Sequence, residues 1–164
     1  MAEHPAPTTS ATHVEGHPHV VIIGAGFAGL AAASKLGGAP VNVTLIDRRN
    51  YHLFVPLLYQ VASAALSPAD IAEPIRRILS RHSNIEVMLG EVAGIDKQAR
   101  TVALADGTTV AYDRLIVATG STHSYFGNDD WAPYAPGLKT LDDALEIRRR
   151  VLLAFERADR KSVV

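Results

Sequence analysis

Residues 20–36, VVIIGAGFAGLAAASKL, set four β-branched residues ahead of three glycines, Gly24, Gly26 and Gly29. Glycine is poorly suited to the interior of a strand or a helix. Three of them between an apolar run and an Ala- and Leu-rich stretch mark a sharp exit from a strand into a helix. HVVII is a short continuous apolar run, as expected of a central strand covered on both faces of a parallel sheet. GFAGLAAASKL reads as a helix ending at Gly37–Gly38. After Pro40, VNVTLID reads as a second strand. Strand, glycines, helix and strand together have the length of one βαβ unit.

Each glycine has a distinct task in such a unit. Gly24 permits the tight turn out of the strand. Gly26, without a Cβ, lets a pyrophosphate approach the main chain. Gly29 lets the helix pack closely on the strand. The first turn, through Phe27 and Ala28, presents N–H groups and the positive end of the helix dipole to phosphate. Asp47 ends the second strand, where a carboxylate can accept both hydroxyls of an adenosine ribose. Strand, helix, spacing and acid agree on dinucleotide binding; the alternative is a glycine-rich turn in an unrelated α/β protein. Arg48 and Arg49 follow. They read as a solvated strand end, with a phosphate contact as the sharper alternative. Asp47 argues against a ribose 2′-phosphate by charge repulsion.

Composition narrows the field. The chain has 164 residues, 48% hydrophobic and 20% charged, with a formal net charge of −1. It is long enough for one domain with a real core, and nothing in its charge points to nucleic acid. It has no cysteine, which excludes disulfides, thiolate catalysis and Cys-ligated metal within it. The longest apolar stretch, YHLFVPLLYQVASAAL at 51–66, holds His52, Pro56 and Gln60 and falls short of the ~20 apolar residues of a spanning helix. Residues 1–18 read as a flexible tail. His4, His13, His17 and His19 fall in or beside it; a metal chelate is the sharper reading and a solvated tail the expected one.

Downstream, SPADIAEPIRRILSRH at 67–82 reads as a helix, with Ser67 as N-cap, Pro68 at its first position and Pro74 splitting or restarting it. NIEVMLGEV at 84–92 reads as the next strand. The run 94–121 then alternates short β segments with turns at DKQAR and ADGT, Asp106–Gly107 being the hairpin signal. An antiparallel meander therefore replaces a crossover helix before RLIVATG returns to the parallel sheet.

GxGxxG at 24–29, Asp47, GEV at 90–92 and YDRLIVATGS at 112–121 together resemble the FAD domain of the two-dinucleotide-binding flavoproteins. The resemblance implies an α/β, Rossmann-like FAD-binding domain over 19–137, incomplete at its C-terminal end. It implies that Val92 contacts adenine through its backbone and that Ala118, Thr119 and Gly120 pass close to pyrophosphate and ribose. The segment NYHLFVPLLYQVASAALSPADIAEPIR at 50–76 is similar to the type II NADH dehydrogenases, single-chain NADH:quinone oxidoreductases. By that resemblance Tyr51, Phe54, Pro56, Leu57, Leu58, Tyr59 and Gln60 run past the isoalloxazine edge. Core packing is the equal alternative for Phe54, Leu57 and Leu58, and a satisfied buried amide is the preferred one for Gln60.

In that family NADH gives hydride to FAD, and quinone receives the electrons; NADPH is not distinguished. No catalytic side chain and no metal ligand is expected here, because the cofactor carries the chemistry. His52, His82, His123 and the loop Asp129, Asp130 and Trp131 read as surface or structural. Thr140 and Asp143 form a capping pair for an amphipathic helix carrying Leu141, Ala144, Leu145, Arg148, Val151, Leu152 and Phe155, mostly apolar, on one face. Residues 138–164 would link to an NADH-binding domain whose second GxGxxG the chain does not contain. The expectation is an N-terminal fragment of a longer enzyme, peripheral on the cytoplasmic face of a membrane through an absent C-terminal part, with a homodimer open. The competing readings are another flavoprotein reductase, of the ferredoxin or sulfide:quinone kind, and a non-catalytic nucleotide-binding module.

Overall fold

The computed structural model describes residues 14–161; His4, His13 and most of the expected tail lie outside them. Along the chain run β1 (His19–Ile23), α1 (Phe27–Leu36), β2 (Asn42–Asp47), β3 (Tyr51–Leu53), a 3-10 turn (Val55–Leu57) and α2 (Leu58–Ala62). A second 3-10 turn (Pro68–Ile71), β4 (Ala72–Pro74), α3 (Ile75–Leu79), β5 (Ile85–Leu89), β6 (Val92–Asp96), β7 (Thr101–Leu104) and β8 (Thr109–Ala111) follow. β9 (Arg114–Val117), a third 3-10 turn (Asp129–Trp131) and α4 (Leu141–Lys161) complete it. These elements fall into two compact units. One holds the described residues up to Tyr51 together with Pro74–Gly120; the other holds His52–Glu73 and the described residues from Ser121.

The first unit is a parallel sheet in the order β5-β2-β1-β9. Alternation along β1 explains its two faces. Val20 and Ile22 pack with Leu30 and Ala33 of α1 and Ile75 and Leu79 of α3. Val21 and Ile23 point the other way, with Ile46, into Val102, Leu104 and Val110 of the antiparallel β6-β7-β8 meander. A strand covered by helices on one face and a meander on the other has no solvated side, hence its unbroken apolar run. Val21, Ile22 and Leu45 are fully buried, each worth about 1.5–3 kcal/mol of apolar transfer. His19, at the start of β1, is a strand residue whose Nε2 lies 2.8 Å from Thr44 Oγ1.

The meander and its return to the sheet are as the turn signals require: Gly107 takes φ +88° at the hairpin. β9 pairs in parallel with β1. Two expectations need correction. Residues 67–82 are not one helix: Ser67 caps only a 3-10 turn through a capping box with Asp70. The chain then extends through Ala72–Pro74 as β4, which pairs with β3, before α3 begins. The residue before a proline is pushed out of the helical region, so Glu73–Pro74 favours strand over a continuous helix. The strand expected over 84–92 breaks at Gly90, between β5 and β6.

In the second unit Leu58, Val61, Ala62 and Ile71 are buried, and Ala144 of α4 is fully so. α2 and α4 pack together. Thr140 and Asp143 cap α4 reciprocally: Thr140 N–H donates to Asp143 Oδ2 at 2.8 Å and Asp143 N–H to Thr140 Oγ1 at 3.1 Å. Burial opposes the charged form of Asp143. The N–H groups of Lys139 and Thr140, the Thr140 hydroxyl and the nearby His123 outweigh it and hold the carboxyl below its ordinary range. Beyond the first turns α4 is exposed: Val151, Leu152 and Phe155 on its apolar face retain 41%, 47% and 71% of their surface.

Candidate functional site

Parallel register brings the C-terminal ends of four strands to one edge. Ile23 sits between Ile46 and Val117, and Asp47 lies beside Leu89. The chain segments leaving those strands are stitched in the same plane: Gly24 N–H donates to Ile46 O at 2.8 Å, Gly90 N–H to Asp47 O at 2.9 Å and Ala118 N–H to Ile23 O at 2.8 Å. The order β5-β2-β1-β9 reverses direction of winding at β1. In open α/β sheets such a switch point, outside the carboxyl ends of the strands, is where ligands bind.

The three glycines separate by what surrounds them. Gly24 has φ +98°, and a Cβ there would strike the Ala118 carbonyl. On Gly29 a Cβ would strike the Gly24 carbonyl oxygen, so the helix start and the turn are in direct contact. Gly26 has ordinary backbone angles as the N-cap of α1, yet a Cβ built on it meets nothing within 4 Å. Its lack of a side chain therefore serves neither turn nor packing. Gly26, Phe27 and Ala28 are exposed, no side chain caps the helix, and its first internal bond is Leu30 N–H to Gly26 O at 3.0 Å. This is an exposed helix start at the positive end of the helix dipole, suited to a phosphate.

Beside it opens a cleft of about 260 Å³ lined by Ile23, Gly24, Ile46, Asp47, Arg48, Arg49, Gly90, Glu91, Val92 and Thr119. That is below the roughly 300–1,000 Å³ of complete small-molecule pockets, and suits one end of a dinucleotide. Asp47 is fixed at its wall. Oδ2 accepts the Ala25 N–H at 2.6 Å and Oδ1 the Arg49 N–H at 2.8 Å. A carboxylate has about four acceptor positions, so each oxygen keeps capacity for one hydroxyl.

Of the residues singled out in the sequence, Gly24, Asp47, Arg48, Val92 and Thr119 meet at this cleft. Gly26, Phe27, Ala28 and Gly29 form the adjoining helix start. Ala118 abuts Gly24, and Gly120 is exposed with φ +72°. Pro56 and Leu57 belong to the 3-10 turn of the second unit, Pro56 exposed and Leu57 half-buried. Leu58 beside them is core. Gln60 is half-buried and donates to its neighbour Tyr59 at 2.9 Å.

Sequence reasoning missed Glu91, and it misread Arg49. Arg48 is exposed, but Arg49 is not part of a solvated strand end: it is half-buried, lines the cleft, and lies over the Tyr51 ring at 5.6 Å. The break at Gly90 was the available signal for Glu91, since a chain leaving a parallel strand emerges at this edge.

Residues 18–164 match the profile of the pyridine nucleotide-disulphide oxidoreductase family. Over 149 residues the chain is 57% identical to the type II NADH:quinone oxidoreductase NdhA of Mycobacterium tuberculosis, covering 89% of this chain and 32% of that protein. It is 51% identical to Ndh of the same organism over 146 residues, covering 87% of this chain and 32% of Ndh. Among solved structures, NDH2 of Plasmodium falciparum in complex with NADH superposes with a TM-score of 0.77 at 28% identity, covering 87% of this chain and 30% of that one. The sulfide:quinone oxidoreductase of Aquifex aeolicus superposes at 0.76 and 30% identity, over 85% and 32%. The chain thus spans about a third of the length of these curated relatives.

Proposed function

We propose, from the premise that the chain belongs to the pyridine nucleotide-disulphide oxidoreductase family, that it forms the FAD-binding part of a type II NADH:quinone oxidoreductase. The observation that carries this is Gly26, a glycine that neither turn nor packing requires, beside a carboxylate anchored at the neighbouring strand end. The residues present fit the adenosine-diphosphate end of FAD. Gly26 leaves room for the diphosphate, the N-terminal turn of α1 donates to it, and Asp47 accepts from the ribose. Val92 and Thr119 line the same cleft, Val92 on the side assigned to the adenine and Thr119 on that assigned to the pyrophosphate and ribose.

When bound, FAD would supply the redox chemistry between NADH and quinone. This chain's residues bind and orient: the helix dipole offsets the diphosphate charge, and Asp47 fixes the sugar. With Asp47 and Glu91 both at the cleft, a sugar phosphate there meets two carboxylates, which favours an unphosphorylated ribose. NADH and quinone are partners of the longer enzyme. We place that enzyme peripherally at the cytoplasmic face of the membrane in which its quinone dissolves. Among the described residues no helix is long and apolar enough to cross a membrane.

The test is calorimetric titration of the chain with ADP, followed by competition against FAD monitored by flavin fluorescence. Saturable one-to-one ADP binding that displaces FAD is expected. No binding of ADP at millimolar concentration overturns the assignment.

A further inference from the structure

Arg49 has an unmet requirement at the cleft. Its Nε is buried and has no hydrogen-bond partner, and a buried donor without an acceptor is costly. The residue is nevertheless held at both main chain and side chain. Its own backbone N–H donates to Asp47 Oδ1 at 2.8 Å, and its guanidinium lies over the Tyr51 ring, 5.6 Å from the centroid. The residue shares the cleft wall with Asp47, Glu91 and Val92.

We propose that Arg49 Nε–H is the donor that complements Asp47 on the adenosine ribose, giving its hydrogen to a hydroxyl oxygen whose own hydrogen goes to the carboxylate. The proposal rests on the reading that the cleft takes adenosine. A hydroxyl both donates and accepts, whereas an ionised carboxylate only accepts. Asp47 can therefore satisfy the hydrogens of a ribose diol but not its oxygen lone pairs. Of the two cationic side chains at the cleft, Arg48 is exposed and so already met by water; the buried, unsatisfied donor is Arg49 Nε. An acceptor and a donor held by one backbone segment read the diol as a pair. The arginine after the strand end thus serves an unmodified sugar, not a 2′-phosphate.

Two variants separate this from a charge or stacking role. In Arg49→Gln the amide Nε2 is as many bonds from Cα as the arginine Nε, so the donor remains and the charge goes. In Arg49→Met the same position is a methyl carbon. ADP and 2′,3′-dideoxy-ADP are titrated calorimetrically into the full chain and both variants. Arg49→Met is expected to bind ADP about 3- to 10-fold more weakly, the worth of one hydrogen bond, and Arg49→Gln within about twofold of the unmodified chain. With dideoxy-ADP all three are expected to bind alike, because the partner hydroxyls are gone. Equal losses in both variants, a loss that persists with dideoxy-ADP, or no loss in Arg49→Met overturns the proposal while leaving the adenosine site standing. A chain that binds no ADP at all removes both.

Discussion

Replacing Gly26 with valine tests whether the first turn of α1 exists to hold a ligand. The backbone at Gly26, φ −73° and ψ −167°, is open to any residue, and an added Cβ meets no atom within 4 Å. The protein itself therefore has little to lose. The change in unfolding free energy is expected to stay within about 1 kcal/mol, the scale of an N-cap replacement. A diphosphate must come to about 2.7–3.2 Å of the helix N–H groups to bond them, and the valine methyls occupy that approach. Losing two charge-assisted hydrogen bonds at about 1.5–3 kcal/mol each gives about 3–6 kcal/mol, a fall in affinity of roughly 10²- to 10⁴-fold. Gly29→Ala is the control. Its methyl overlaps the Gly24 carbonyl oxygen, which cannot rotate away. Overpacking costs about 3 kcal/mol at the upper end against about 1 kcal/mol of helix propensity gained, a net loss near 2 kcal/mol. Urea unfolding reads stability, and ADP calorimetry with flavin fluorescence quenching reads binding. A Gly26→Val chain that keeps ADP and FAD affinity within threefold, or that unfolds as readily as Gly29→Ala, refutes the reasoning.

Asp47→Asn should lower stability by about 1–3 kcal/mol, because its amide group faces a backbone N–H where a carboxylate oxygen accepted one. It should also weaken ADP binding by about tenfold; unchanged affinity would place the ribose elsewhere. Thr140→Ala removes the acceptor of the Asp143 N–H and should cost α4 about 1 kcal/mol, seen as faster amide exchange in its first turns. Asp143 has its pKa lowered on folding from an ordinary 3.8. Its stabilisation is therefore complete above that value and is lost as pH falls through the lower folded-state value. Glu146, held down to about 2 by Arg149 and Arg150, likewise loses its contribution to stability as pH falls from 4.5 to about 2. The Asp143 part is accordingly read as the difference between the acid titrations of helicity in the unmodified chain and in Asp143→Asn; identical curves would show that the cap does not couple to folding.

The glycine turn, both strands around it, Asp47 at the strand end, the meander and the Thr140–Asp143 cap are legible in the sequence because each depends on residues within a few positions of one another. Burial on both faces leaves an unbroken apolar run, a hairpin needs Asp–Gly, and a cap needs its partner three residues on. Residues 68–74 depart from the expected helix for the converse reason, while the restart after Pro74 is as expected. The caps and apolar spacing of 67–82 are locally helical, but Pro74 and pairing with β3, distant in sequence, turn its middle into strand.

What the sequence by itself determined is the handover from strand to helix through the glycine turn and the acid that accompanies it. Only the tertiary structure decided which glycine faces open space, and that Arg49 and Glu91 reach the same wall as Asp47. The physical reason is register. Parallel pairing sets the ends of β1, β2, β5 and β9 side by side, so residues scattered from 24 to 119 converge at one edge, an outcome that depends on strand order and not on any local pattern.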